Sequence, residues 1–186
     1  MIQSIAQFIL FRCMGWKVEV TVPSRDKCIL CVAPHTSNWD FLLGETFSQA
    51  IGRKAGFLMK KEWFFWPLGC LFRALGGIPV MRSRHQSLTD QLADIAIRET
   101  YFNLAVTPEG TRSRVTSWKR GFYYIALKAN IPIQLFAIDA KHKRIVCTEE
   151  IMPSGDVEAD MKRIMDYYRS FADCAFYPEK FALEEI

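Results

Sequence analysis

Short apolar runs alternate with longer amphipathic segments along most of this 186-residue chain, and this alternation constrains the fold more than any other feature. Residues 28–32 form a continuous apolar run, which is typical of a central strand buried on both faces. Further strand-like runs cover residues 57–60, 78–82, 104–107 and 131–138. Helical periodicity covers residues 39–50, 86–100, 119–129 and 156–171. The alternation predicts an α/β fold with a mainly parallel central sheet and helices on both faces.

Two further segments make the predicted sheet mixed. Residues 16–22 alternate apolar and polar side chains, as a half-buried strand does, and residues 141–148 are expected to run antiparallel to the strand before them. The length fits a single domain that can bury its own core without disulfides or metal. We therefore predict one α/β domain over residues 16–186.

Residues 1–15 are predicted to form a separate N-terminal amphipathic helix. Ile2, Ile5 and Phe8 recur at near-helical spacing, and Gly15 is a suitable stop. This helix either packs on the domain or rests in a membrane interface. No apolar run approaches the length that spans a bilayer, and no secretory signal is recognisable, so we expect a protein that lies on a membrane rather than crossing one.

The net charge and the cysteine content limit the partners and cofactors that we expect. The net charge of +4 suits an anionic substrate or an anionic lipid surface. The basic residues are scattered and belong to no recognition module, so nucleic acid is not an expected partner. Six cysteines lie mostly in apolar runs, and Cys28 and Cys31 would point to opposite faces of one strand. We therefore expect no metal or redox centre and a reducing compartment.

Polar, motif-like loops follow the predicted strands at residues 33–39, 83–85 and 108–117. Ligands of parallel sheets bind beyond the carboxyl ends of the strands, so these loops are the predicted binding site.

His35 and Asp40 are the candidate catalytic pair. A histidine general base needs a partner that orients the ring and stabilises the imidazolium, and Asp40 follows across a short loop. Asp40 could instead serve the N-terminus of the next helix. His142 is expected at a solvated strand end and His85 at the surface or substrate rim. Ser37 leaves a covalent route barely open, and we favour direct attack by a substrate hydroxyl.

Arginines in the other two loops suit a phosphate. Arg82 emerges at the end of a predicted strand, and Arg112 follows Gly110 and Thr111 in the third loop. Arg82 has the alternative of being an ordinary surface residue. Glu109 would form a loop salt bridge with Arg112, accept a substrate hydroxyl, or hold Arg82.

Taken in order, four blocks of the sequence resemble the glycerolipid acyltransferase family. They are HTSNWD from His35 to Asp40, GGIPVMR ending at Arg82, TPEGTRS from Thr107, and IPIQLF from Ile131. The resemblance covers residues 16–140. Thr107 replaces an aromatic residue of the family pattern and Leu135 replaces a proline, which bears on substrate identity more than on chemistry.

The resemblance implies an acyltransferase without covalent intermediate, metal or cofactor. His35, oriented by Asp40, would deprotonate a lysophospholipid hydroxyl, which attacks the thioester of acyl-CoA or acyl carrier protein. The acceptor phosphate would bind a set of substrate-binding residues, namely Arg82, Glu109, Gly110, Thr111 and Arg112. The sequence does not identify the oxyanion donor, although a loop N–H group fits that role. Another acceptor, such as a lyso-amino-acid lipid or a lipid A precursor, and a non-catalytic lipid- or anion-binding role remain alternatives.

The resemblance also places the protein peripherally at the cytoplasmic face of a membrane. An aromatic run over residues 63–72 then has two interpretations, as core packing or as part of a membrane-interfacial surface together with the N-terminal helix.

Overall fold

One mixed eight-stranded sheet forms the centre of the molecule in the residues that this computed structural model describes, 2–74, 76–80 and 87–183. The strands are β1 Lys17–Val20, β2 Lys27–Ala33, β3 Gly56–Lys60, β4 Gly77–Val80, β5 Phe102–Val106, β6 Ile133–Asp139, β7 Arg144–Cys147 and β8 Glu150–Ile151. Their order across the sheet is β1-β7-β6-β2-β5-β3-β4, with β8 paired to β6. The helices are α1 Ile2–Gln7, which continues as a π-helical segment Phe8–Cys13, α2 Asn38–Ile51, α3 Leu68–Ala74, α4 Leu88–Arg98, α5 Gly121–Ala129 and α6 Val157–Arg169.

The predicted mixed, mainly parallel α/β fold is confirmed. Strand β2 is central and pairs in parallel with both β5 and β6, whereas β7 and β8 run antiparallel to β6. The prediction of an antiparallel strand after β6 is therefore correct. Strand β8 has only two residues, too few for a period-2 pattern to reveal it in the sequence.

Two apolar clusters cover the two faces of the sheet. We call them the α2 face, packed under α1 and α2, and the α4–α5 face, packed under α4, α5 and α6. Neighbouring residues of β2 alternate between the two, since Ile29 belongs to the α4–α5 face and Leu30 to the α2 face. Cys28 and Cys31 likewise lie on opposite faces, and the cysteines are free thiols.

The N-terminal helix packs on α2 with one side and exposes the other. The side-chain amides of Gln3 and Gln7 donate to the carbonyl of Ala50 at 3.3 and 2.9 Å, and Leu10 is fully buried. Ile5 and Phe8 are more than half exposed. The packing interpretation therefore holds for one side of this segment, and the other side presents exposed apolar side chains. Among the described residues, no helix is both long and apolar enough to cross a bilayer.

The aromatic run after β3 is largely on the surface. Trp66 is 85% exposed, and Trp63 and Phe65 are each more than half exposed. Only part of the run packs inward, with the Phe64 and Phe72 rings in edge contact at 6.1 Å. Core packing therefore explains a minority of these side chains.

The glycine pair before β4 makes a close backbone approach possible. Gly76 has a φ of +92°, and a Cβ atom there would lie 2.6 Å from the carbonyl oxygen of Ala55. The turn thus brings β4 against β3.

Candidate active site

The first and third predicted loops meet at one edge of the sheet. His35 lies two residues after β2, and the loop from Thr107 follows β5. Because β2 and β5 are parallel neighbours, with Cys31 beside Val106, their carboxyl ends open at the same edge. The second loop, with Arg82 and His85, lies outside the described residues.

His35 and Asp40 lie side by side. The ring nitrogen Nδ1 of His35 is 3.2 Å from Oδ2 of Asp40, within ion-pair distance, although the two groups are not aligned for a hydrogen bond. The His35 side chain is 13% exposed and that of Asp40 only 2%. Catalytic contacts in unliganded enzymes are often loose and tighten with substrate, so this geometry suits a base and its orienting carboxylate.

Asp40 also shapes the loop that carries His35. Its Oδ2 accepts hydrogen bonds from the backbone N–H groups of Thr36 and Ser37, both at 2.7 Å. Ser37 is the N-cap of α2 and forms a capping box with Asp40, and its hydroxyl also accepts from the N–H of Trp39 at 3.1 Å. The oxygen that serves the helix N-terminus is thus also the one that lies nearest to the His35 ring.

Glu109, in the loop after β5, reaches the loop that carries His35. It is 4% exposed, and its Oε1 accepts the backbone N–H of His35 at 2.8 Å. Burial raises the pKa of Glu109 to about 7, an effect that the hydrogen bond from His35 only partly offsets. This contact differs from the substrate role that the resemblance implies, and it makes Glu109 a support of the His35 backbone.

Glu109 and Asp40 together hold three consecutive backbone N–H groups, those of His35, Thr36 and Ser37. Because these donors are already engaged, an oxyanion at this site needs a donor from another segment. A loop N–H group that serves as the oxyanion donor therefore belongs to a segment other than these three residues.

Unpartnered buried polar atoms concentrate here. Within the part of the chain that the structure describes, the buried side-chain atoms without a hydrogen bond are Nδ1 of His35, Oδ1 of Asp40 and Oε2 of Glu109. Buried polar atoms are nearly always hydrogen-bonded, so three exceptions at one place are typical of a functional site.

The third loop carries the remaining predicted residues. Gly110 has a φ of +67°, and a Cβ atom there would lie 3.3 Å from Cγ of Lys119. Thr111 is exposed, and its hydroxyl accepts the N–H of Ser113 at 3.3 Å. Arg112 is exposed and, like Gly110, lines a cavity. Gly110 and Arg112 thus line the same cavity as His35.

A cavity of about 580 Å³ runs inward from this edge. Its polar lining includes His35, Asp40, Arg112 and Lys119, and the remainder is mostly apolar. This size and composition are those of a small-molecule site, with a few polar groups fixing the orientation of an apolar ligand.

Lys119 and Arg53 are lining residues that were not among the predicted site residues. Lys119 was predicted to begin a helix, but α5 begins at Gly121, because the N–H of Lys119 bonds to the carbonyl of Pro108 at 2.7 Å and keeps it in the loop. Its position after the PEGTR block was an available signal. Arg53 follows α2, and nothing in its sequence surroundings indicated a cavity.

The remaining described histidine forms a separate pair. Nδ1 of His142 lies 2.9 Å from both oxygens of the fully buried Asp139, which also binds Arg144 at 2.7 Å. Cys174 is close enough to complete a three-residue cluster of potential metal ligands. The Arg144 guanidinium already supplies the positive charge that Asp139 needs.

Comparison with known proteins shows the fold and the family of the chain. The crystal structure of the 1-acyl-sn-glycerophosphate (LPA) acyltransferase PlsC from Thermotoga maritima has the same fold, with a TM-score of 0.58 and 21% sequence identity over 91% of this chain and 77% of that chain. No curated protein sequence gives a significant match. The sequence model of the Acyltransferase family matches residues 17–139, which is more than half of the chain and includes both loops that meet at His35. On this match the chain belongs to the acyltransferase family.

Proposed function

We propose that the protein transfers a fatty acyl group from an acyl thioester to the hydroxyl of a lysophospholipid, with 1-acylglycerol-3-phosphate as the favoured acceptor. The observation that carries this proposal is that His35, beside Asp40, lines one largely apolar cavity together with the cationic residues Arg112 and Lys119.

The reaction needs one base that becomes an acid. Once substrate binding aligns Nδ1–H with Asp40, Nε2 of His35 takes the proton of the acceptor hydroxyl as its oxygen attacks the thioester carbonyl carbon. The C–S bond then breaks, and the imidazolium returns its proton to the departing thiolate. Proton and charge balance within the site, so the step calls for neither a metal nor a redox cofactor. The donor is acyl-CoA or acyl carrier protein.

Arg112 and Lys119 together form what we call the cationic rim of the cavity, and this rim supports an acceptor that carries phosphate. Arg112 and Lys119 line the cavity, as do Leu88 and Gly121, the first residues of α4 and α5. Both helices follow strands that end at this edge, so their N-termini, which favour anions, are directed here. Arg82 is kept as a proposed member of this set because of its place in the family pattern.

The test of this function is an acceptor panel with one acyl-CoA. Purified protein is given 1-acylglycerol-3-phosphate, an uncharged monoacylglycerol, a lyso-amino-acid lipid or a lipid A precursor, and the thiol released and the mass of the product are both measured. We expect thiol release coupled to phosphatidate formation. If none of the acceptors gives thiol release or product, the result contradicts the proposal and favours a non-catalytic lipid-binding role.

Replacing Arg112 by alanine should mainly weaken acceptor binding. The loss of one charge-assisted contact to phosphate is expected to raise the acceptor KM about tenfold, with a smaller change in kcat. Arg98, on the last turn of α4, provides a control, since the same substitution there removes a surface charge away from the cavity. An unchanged KM for the phosphate-bearing acceptor in the Arg112 variant would count against the phosphate role.

A surface beside the cavity is proposed to rest in the membrane interface. Trp39 and Leu42 on α2 are more than half exposed, as are Ile5 on α1 and Trp66 after β3. Exposed tryptophans beside apolar side chains suit the headgroup boundary, where a lysolipid could enter without crossing water. Both candidate donors are cytoplasmic, so the proposed location is the cytoplasmic face.

Flotation with anionic vesicles tests this surface. The variant Ile5→Glu should lower the membrane-bound fraction about tenfold. It removes one apolar side chain that the proposal places in the membrane interface, and it adds a negative charge that the anionic lipids repel. Ile97→Glu is a matched control, since Ile97 is 52% exposed against 53% for Ile5 and lies on α4 instead. Wild-type protein that stays with the soluble fraction, or equal losses in both variants, would contradict the proposed surface.

A further inference from the structure

The cavity extends over both faces of the sheet. Phe57 and Leu58 on β3 both line it, and so do Ala105 and Val106 on β5. Neighbouring residues of a strand point to opposite faces, so a cavity that contacts both members of each pair passes from one face to the other.

A split between β3 and β5 provides the passage. The described ladder between these strands has two pairs, Gly56 with Leu104 and Phe57 with Ala105. Beyond them β3 continues to pair with β4, while β5 ends at Val106 and leads into the loop of the active site. The split therefore lies at the same edge as His35, and we call the parts of the cavity on the two faces of the sheet its two branches.

The branch on the α2 face begins at the catalytic pair and follows β2 inward. Val32 and Leu30 line it from the sheet, and Leu43 and Phe47 from α2. It reaches Arg53, whose Nη2 lies 3.0 Å from Sγ of Cys28. At the usual rise of a strand, the distance from Cys28 to His35 is about 20 Å, which suits an extended hydrocarbon chain that starts at a thioester beside His35.

The branch on the α4–α5 face begins at the cationic rim. Its apolar walls include Leu92 on α4 and Phe122 and Ile125 on α5. The residues that flank its entrance are Leu88, which begins α4, and Lys119, just before α5. A lipid whose phosphate binds at this rim has its own hydrocarbon chain next to this branch rather than the other.

On the basis of the proposed function, we propose that the two branches hold two hydrocarbon chains at once. The acyl chain of the donor occupies the branch on the α2 face, and the chain already present on the acceptor occupies the branch on the α4–α5 face. The two chains converge at the split, which brings the acceptor hydroxyl and the thioester carbonyl together beside His35.

The matched variants Leu43→Phe and Leu92→Phe narrow one branch each. Leu43 is 1% exposed and Leu92 is 2% exposed; both lie on helices and both line the cavity. Each variant is assayed with acyl-CoA donors of increasing chain length and with lysophosphatidates that carry a short or a long chain.

Leu92→Phe should raise the KM of the long-chain acceptor about tenfold and leave that of the short-chain acceptor and the donor length profile unchanged. Leu43→Phe should shift the donor preference toward shorter chains and leave the acceptor series unchanged. If either variant fails a thermal-melting check, Leu88→Phe at the partly exposed entrance of the α4–α5 branch carries the acceptor prediction alone.

Two outcomes would overturn this proposal: an acceptor series that is insensitive to Leu92→Phe and Leu88→Phe, as expected if that chain stays in the membrane, or a change in donor preference caused by these two variants. Failure of the wild-type protein to acylate any lysolipid would instead refute the proposed function, so the two ideas fail separately.

Discussion

Replacing His35 by alanine is expected to lower kcat/KM for acyl transfer about a thousandfold. The substitution removes the proposed general base, a contribution that typically amounts to between about a hundredfold and ten thousandfold. It keeps the backbone N–H that donates to Glu109, so the loop retains that contact. Thiol release from acyl-CoA in the presence of lysophosphatidate measures the effect, and thermal melting shows whether the variant is folded.

His142→Ala is the matched control for this variant. His142 also lies beside a buried carboxylate, that of Asp139, but it is separate from the cavity lining. We expect near-normal turnover for this control. A His35 variant that folds and turns over at a rate similar to the His142 variant would show that the base has been assigned to the wrong residue.

The fold was predictable because its main signals are local. The apolar run of β2 is continuous because this strand is buried on both faces, whereas β1 alternates because one of its faces is more exposed. Where the prediction was incomplete, a contact distant in sequence decided the result. The start of α5 depends on the bond between Lys119 and Pro108, and β8 depends on its pairing with β6.

The difference between local contacts and contacts distant in sequence also separates the predictable and unpredictable parts of the site. His35 and Asp40 are five residues apart, so a short loop brings them together and the spacing itself is informative. The contact between Glu109 and the His35 backbone joins residues 74 positions apart. A residue pattern shows that a carboxylate is present, but only the packing of β5 against β2 decides which group it meets.

The cavity could not be predicted, because it depends on distances between elements that are far apart in sequence. Leucine and phenylalanine at core positions look alike in sequence whether they fill space or line an opening. The branch that ends near Arg53 depends on the distance between α2 and the sheet, and the split depends on where the ladder between β3 and β5 stops.

Glu109 is expected to make the protein less stable as the pH rises through the range from about 4.5 to about 7. Burial raises the pKa of this carboxyl in the folded state, so the unfolded chain loses the proton first and the folded chain holds more protons in this range. Stability then falls with pH, and the full cost, about 3 kcal/mol, is present above pH 7. Below about pH 4.5 the group is protonated in both states and contributes no pH dependence.

Glu109→Gln isolates this effect, because the amide oxygen can still accept the N–H of His35 while the titration is lost. The new NH₂ group replaces Oε2, which has no partner, and adds a cost that does not change with pH. The informative quantity is therefore the difference in free energy of unfolding between variant and wild type, measured by urea denaturation at pH 5 and at pH 8. We expect that difference to move in favour of the variant by up to about 3 kcal/mol at the higher pH. Parallel pH profiles would mean that Glu109 does not titrate in this range. A raised acceptor KM in the same variant would instead favour the substrate role that the family resemblance implies.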